Sequence, residues 1–203
     1  NTNGLVLSNP SSVLKISGPN TVSGPVSLSA GIIDVDETSN LNSDLTLGGS
    51  ATIDVAQDKI LTYSGASLAL GENTLTVAGA GKLSNTNAVV LGEGLSVLKL
   101  SGTNTVSGPL SLNAGVIDVD ESSALSSDLT LGGSATIDVA QGKSLTYGGA
   151  ALSLGENTLT VAGAGILSNA NTLVLGDPAS VLKLSGTNTV SGSVSLNAGV
   201  IDV

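Results

Sequence analysis

A chain of 203 residues with 40% hydrophobic content and only two aromatics, Tyr63 and Tyr147, has enough apolar material for a core but no large rings to fill a wide one. Its formal charge of −10, from 16 acidic residues against six lysines and no arginine, excludes nucleic acid as a partner, because phosphate recognition needs a cationic face. With no Cys and no His there are no disulfides and no thiol or imidazole chemistry, and no apolar run reaches the ~20 residues that membrane insertion requires.

In chain order, the pattern Leu/Val-x-Leu appears at Leu5, Val26, Leu45, Leu68, Val89, Leu110, Leu129, Leu152, Leu173 and Val194. Between successive occurrences lie two further short alternating segments separated by Gly, Asn, Ser or Asp clusters, as in LTLGGS, ATIDVAQG and KSLTYGGA from Leu129 to Ala150. Alternation of period two is a strand signal, and the clusters are turn chemistry. Three strands and three corners per ~21 residues describe one coil of a triangular solenoid.

A longer period is superimposed on the short one. LKISGPNTVSG at Leu14 returns as LKLSGTNTVSG at Leu98 and Leu182, so the unit is 84 residues, or four coils. Residues 14–97 and 98–181 differ at 20 of 84 positions with no insertion, which indicates stacked units that touch only their neighbours. The chain reads as one solenoid segment of a longer array: a partial repeat at 1–13, full repeats at 14–97 and 98–181, and a partial repeat at 182–203. The predicted fold is all-β, a right-handed triangular β-solenoid (β-helix), with the hand inferred from coil lengths of 19 to 23 residues.

Aligning the coils gives inward columns. The first strand contributes Leu7, Leu28, Leu47, Leu70, Leu91, Leu112, Leu131, Leu154, Leu175 and Leu196. The second contributes Leu14, Ile33, Ile53, Leu75, Leu98 and, in parallel, Ile16, Val35, Val55, Val77, Leu100; the third contributes Val22, Leu41, Leu61, Leu83, Val106. The expected core is entirely aliphatic. Tyr63 and Tyr147 occupy equivalent sites and read as wall packing near a corner, with glycan contact as the other reading. Asn20 and Asn104, in the SGxNTVSG corners, are expected in left-handed or Asx-turn conformations.

The stretch LKLSGTNTVSGPLSLNAGVIDVD, from Leu98 to Asp120, resembles the passenger-associated strand repeat of bacterial autotransporters. That pattern has an alternating strand, Ser-Gly-x-Asn-Thr, a second Ser-Gly, another strand, and Asn-Ala-Gly before a final strand. It covers about a quarter of each long repeat, returning at Leu14 and Leu182, with Val22 and Val106 where the family often has an aromatic. The resemblance implies an extracellular setting on the surface of a Gram-negative bacterium, as in large adhesins of the filamentous-haemagglutinin type.

The outward column of the second strand carries the most chemistry: Lys15, Asp34, Asp54, Thr76, Lys99, Asp118, Asp138, Thr160, Lys183, Asp202. Each lysine stands one coil from an aspartate, near enough for an ion pair that fixes register, whereas Asp34 stacks on Asp54 and Asp118 on Asp138. The acidic stripe reads as a solvated surface that keeps the rod soluble. The weaker reading is a hard-cation site for Ca²⁺ at Asp34, Asp36 and Asp54, or Asp118, Asp120 and Asp138, with Glu37 or Glu121 nearby. No cofactor is implied. Paired carboxylates such as Asp34 and Asp36 recur in each repeat, which suits structure better than catalysis, and the chain is not expected to be an enzyme. GENTLTVAGAG, at Gly71 and Gly155, lacks Gly-Lys-Ser/Thr and reads as corners.

Two function classes follow. One is a structural element of a long extracellular fibre, stalk or sheath that associates with itself end to end, with lateral association as a further contact. The other is an adhesin whose repeated surface engages glycan or a cell-surface receptor multivalently. Ice binding is a distant variant, since it wants a flat Thr array and these outward columns are mixed.

Overall fold

The computed structural model describes residues 4–203. Over them the chain forms a parallel β-solenoid of about nine turns, with strands from Leu5–Leu7 to Val200–Asp202 and no helix among the described residues. Each turn gives one short strand to each of three faces. The first face begins at Leu5–Leu7 and ends at Val194–Leu196; the second runs unbroken from Val13–Ile16 to Val200–Asp202 as ten parallel strands; the third runs from Thr21–Val22 to Thr189–Ser191 as nine. The first face is divided into sheets of three, four and three strands, interrupted between Leu45–Leu47 and Leu68–Ala69 and between Leu129–Leu131 and Leu152–Ser153.

Alternation decides which side chains enter. In a strand, successive Cβ atoms point to opposite sides, so Leu-x-Leu and Ile-x-Val place both aliphatics inside and the middle residue outside. Leu28, Leu70, Leu91, Leu112, Leu154 and Leu175 are fully enclosed. Leu7 and Leu131 are buried as well, while Leu47, beside the first interruption, is half-buried and Leu196 of the last turn is exposed. The core is one continuous column along the axis.

The interior departs from the aliphatic expectation. Tyr63 and Tyr147 are 3% and 4% exposed and lie within the core, and Asn85, Asn104 and Asn169 are buried beside corners. Their amides hold backbone carbonyls: Asn85 Nδ2 donates to Asn87 O at 2.8 Å and Pro109 O at 2.9 Å, and Asn104 Nδ2 donates to Val77 O at 2.8 Å. Buried serines do similar work across coils. Ser39 and Ser123 donate to Gly18 O and Gly102 O, at 2.8 and 2.7 Å, and Ser96 and Ser180 donate to Gly71 O and Gly155 O. A thin core places its corners close to the axis, so polar corner groups are enclosed and need partners.

The ladder register also differs from the aligned columns at one place in each repeat. Ile33 faces Ile53 and Val35 faces Val55 as expected, but Ile53 then faces Val77, and Leu75 faces Ala51. On the third face Leu41 faces Tyr63, and Ser39 faces Leu61. The same two-residue displacement recurs at Ile137 with Val161 and at Leu125 with Tyr147. Because the displacement is even, every side chain keeps its side of the sheet, and the inward and outward assignments survive.

Backbone conformation at the corners corrects one further expectation. Asn20 and Asn104 are not left-handed; among the described residues the non-glycine residue with positive φ is Asp58, at 61°. Its equivalent in the next repeat is Gly142, at 72°, which pays no steric penalty there.

Two expected outcomes test these assignments. Leu112→Asp places an unpaired charge in the closed column and should cost more than about 4 kcal/mol or prevent folding, while Asp138→Ser, on the outer surface, should stay within about 0.5 kcal/mol by thermal unfolding. Asp58→Gly should raise the unfolding midpoint, by about 1 kcal/mol of stability, and Gly142→Asp should lower it by a similar amount.

Candidate functional site

The second face carries the charge ladder. Lys15 Nζ lies 2.8 Å from Asp34 Oδ2 and 2.9 Å from Asp36 Oδ2, and Lys99 Nζ lies 2.8 Å from Asp118 Oδ2 and 2.6 Å from Asp120 Oδ2. One ammonium thus bridges two carboxylates on the same side of the following strand. Parallel pairing sets this up, because Lys15 faces Asp34 and Lys99 faces Asp118 in the ladder, and the i, i+2 alternation brings Asp36 and Asp120 to the same surface. At the next corner Lys59 Nζ meets Glu37 Oε2 and Lys143 Nζ meets Glu121 Oε2, each at 2.6 Å.

Electrostatics follow from that geometry. Hydrogen bonds to Asp34 and Asp36 hold the Lys15 ammonium above its ordinary value, and those to Asp118 and Asp120 do the same for Lys99. The Lys15 hydrogen bond lowers Asp36. These groups are well solvated, with the Lys15 side chain 55% exposed, so each pair contributes about 0–1 kcal/mol and its larger effect is on register.

The stacked carboxylates are where the sequence places them on one side and not on the other. Asp34 faces Asp54 and Asp118 faces Asp138. Beyond them the displaced register puts Ala78 opposite Asp54 and Ala162 opposite Asp138, while Thr76 and Thr160 face Thr52 and Thr136. The expected column from Asp54 to Thr76 is therefore broken, although Thr76 still faces Lys99. Among the described residues no group of three or more Asp or Glu is gathered closely enough to hold a metal ion. Lysine ammonium groups already occupy the space between Asp34 and Asp36 and between Asp118 and Asp120.

The tyrosines have a function that sequence reasoning missed. Tyr63 lies on the third face, yet its hydroxyl reaches the interruption of the first face, where it accepts from Leu45 N at 3.3 Å and donates to Ala66 O at 2.6 Å. Tyr147 accepts from Leu129 N at 3.1 Å at the second interruption. A side-chain hydroxyl thus satisfies a strand N–H where the ladder has no neighbouring strand, which a buried amide requires. Their exact recurrence 84 residues apart, in a chain otherwise free of rings, was the available signal. A glycan contact is ruled out for these rings in the folded state by their burial.

Beside the second interruption lies an open groove whose walls include Pro109, Asp128, Gly149 and Asn171. Asp128 Oδ1 accepts from Ala150 N at 2.8 Å, and Asn171 Nδ2 donates to Gly149 O.

Comparison with protein-family models, with curated proteins and with solved structures finds no match to this chain. The fold places it in the class of parallel β-solenoids.

The hydroxyl bridge has a pH signature. Burial is the main cause that pushes both phenols above their ordinary value of 10.0. A folded value above the unfolded one means that the contribution is fully present below pH 10 and is lost as pH rises through the folded value. Stability should therefore fall more steeply above pH 10 in the native chain than in Tyr63→Phe/Tyr147→Phe. At pH 7 each single Phe variant should cost about 1–3 kcal/mol in chemical denaturation, because it orphans a buried N–H.

Proposed function

We propose that the chain is a structural repeat of a long extracellular fibre, stalk or sheath, non-catalytic, displayed on a bacterial surface. The observation that carries this reading is the unbroken ladder of ten parallel strands on the second face, which repeats the same Lys-to-Asp pairs at the same stations in successive 84-residue units. Such a stack gives length and stiffness in proportion to the number of units, and its acidic outer groups keep it solvated. The likeness of Leu98 to Asp120 to the autotransporter strand repeat supports a Gram-negative cell surface as the setting. Electron microscopy of the native assembly tests the reading: rods of uniform width are the expected result, and isolated globular particles would overturn it.

The groove at Asp128 and Asn171 favours a second reading, an adhesin that engages glycan multivalently. Its polar groups alternate with a glycine floor at a corner that returns in every unit.

Self-association along the axis belongs to the first reading. Val194, Leu196 and Ile201 are exposed on the last turn, on strands whose outer edges have no partner, and the Leu-x-Leu columns at Leu5 and Leu14 offer a matching register. The second face has ten strands and the third nine, so a junction between two copies continues two faces and leaves room for one strand on the third. The contact is thus weaker than an internal coil interface. Light scattering should rise with concentration and added salt, and Leu196→Asp should abolish the rise.

A further inference from the structure

We infer that each 84-residue unit contains one rotational step, so that a stack of these units is a twisted rod on which no face runs straight for more than four coils. Following the second-face ladder from Leu14 through Ile33, Ile53 and Val77 leads to Leu100, two residues past Leu98, which is the equivalent of Leu14. From Leu98 it leads through Ile117, Ile137 and Val161 to Leu184, two past Leu182. The third face agrees: Ser39 leads through Leu61, Leu83 and Val106 to Leu125, two past Ser123.

The displacement is confined to one coil interface. It enters on the third face between Ser39–Leu41 and Ile60–Tyr63, and it is present on the second between Ala51–Val55 and Thr74–Gly79. Between these two places the chain crosses the first face, at the point where that ladder is interrupted. All three faces are therefore disturbed over one complete turn of contact, which is what rotation of one block of coils against the next produces. Two residues amount to roughly 6.6 Å on a perimeter of about 21 residues, or about a tenth of a turn for every four coils of ~4.8 Å rise.

Two devices hold the step. The hydroxyls of Tyr63 and Tyr147 bind the N–H groups of Leu45 and Leu129 at the interruption. Gly79 and Gly163, at φ 78° and 82°, end the displaced strands so close to the preceding coil that a Cβ would stand 2.1 Å from Val55 O and 2.2 Å from Val139 O. No larger residue fits the displaced register there.

The consequence concerns partners. Equivalent side chains on successive units, such as Lys15 and Lys99, lie on a helix around the rod. A straight polymer laid along the axis meets a given face over one block, about 19 Å long, and can follow that face further only by winding. This inference does not rest on the fibre reading, since it follows from the unit itself.

Cysteine pairs in the full chain, which has no native cysteine, test it. Asp54→Cys with Ala78→Cys joins positions that face each other across the step, and Asp54→Cys with Thr76→Cys joins positions that face only if the step is absent. The second pair stands about 8 Å apart at Cα in the stepped register, beyond disulfide reach. Mild oxidation should close the first pair at least tenfold faster than the second, with the same order for Asp138→Cys paired with Ala162→Cys or Thr160→Cys. Nitroxide labels at these positions should give the shorter distance for the Ala78 and Ala162 pairs even where a disulfide distorts the fold. Equal rates, or faster closure of the threonine pairs, would overturn the step while leaving the solenoid and the fibre reading intact.

Discussion

Every coil depends on its neighbours, because a three-stranded turn of this width has no second layer of its own. Leu112 is enclosed only because Leu91 lies on one side and Leu131 on the other, each held at ladder spacing by parallel backbone hydrogen bonds. The same bonds satisfy the strand amides and carry the inward columns into contact, so core packing and ladder are one constraint. This is the reason an interior of Leu, Val and Ile suffices with two rings: the cross-section stays narrow, and stability accumulates along the axis.

Polar groups do their part where that constraint is hardest to meet. At the corners the chain turns close to the axis, and buried Ser and Asn side chains carry hydrogen bonds from one coil to the next. Where two blocks of coils are out of step, the first-face ladder opens, and a phenol from the third face closes it. The step and the tyrosine belong together: without the displacement a strand would cover the Leu45 N–H, and without the hydroxyl that buried group would have no partner.

On the outside, lysine and aspartate are arranged so that each ammonium spans two carboxylates of the following coil. The energy of such exposed pairs is small, but a ladder displaced by two residues at that interface would separate both contacts at once. The excess acid is left solvated, including Asp54 and Asp138 beyond the paired groups. A surface of this kind opposes lateral clumping of rods while leaving axial growth open, which fits an element whose use lies in its length.

The sequence by itself determined the class of fold, the three strands per coil, the four-coil unit and the side of the sheet on which each residue lies. All of these follow from periods of two, about 21 and 84, and an even register shift leaves the first of them unchanged. It also determined the Lys15 to Asp34 and Lys99 to Asp118 neighbours, since these lie at interfaces without displacement. What only the tertiary structure decided is the displacement itself, and with it the position of Ala78 opposite Asp54, the half-burial of Leu47 and the entry of Tyr63 and Tyr147 into the core. Alignment of like with like assumes that every coil sits squarely on the last. Whether a longer coil bulges at a corner or rotates against its neighbour depends on how a ring, a glycine and a strand end fit together in space, and strand periodicity contains no record of that fit.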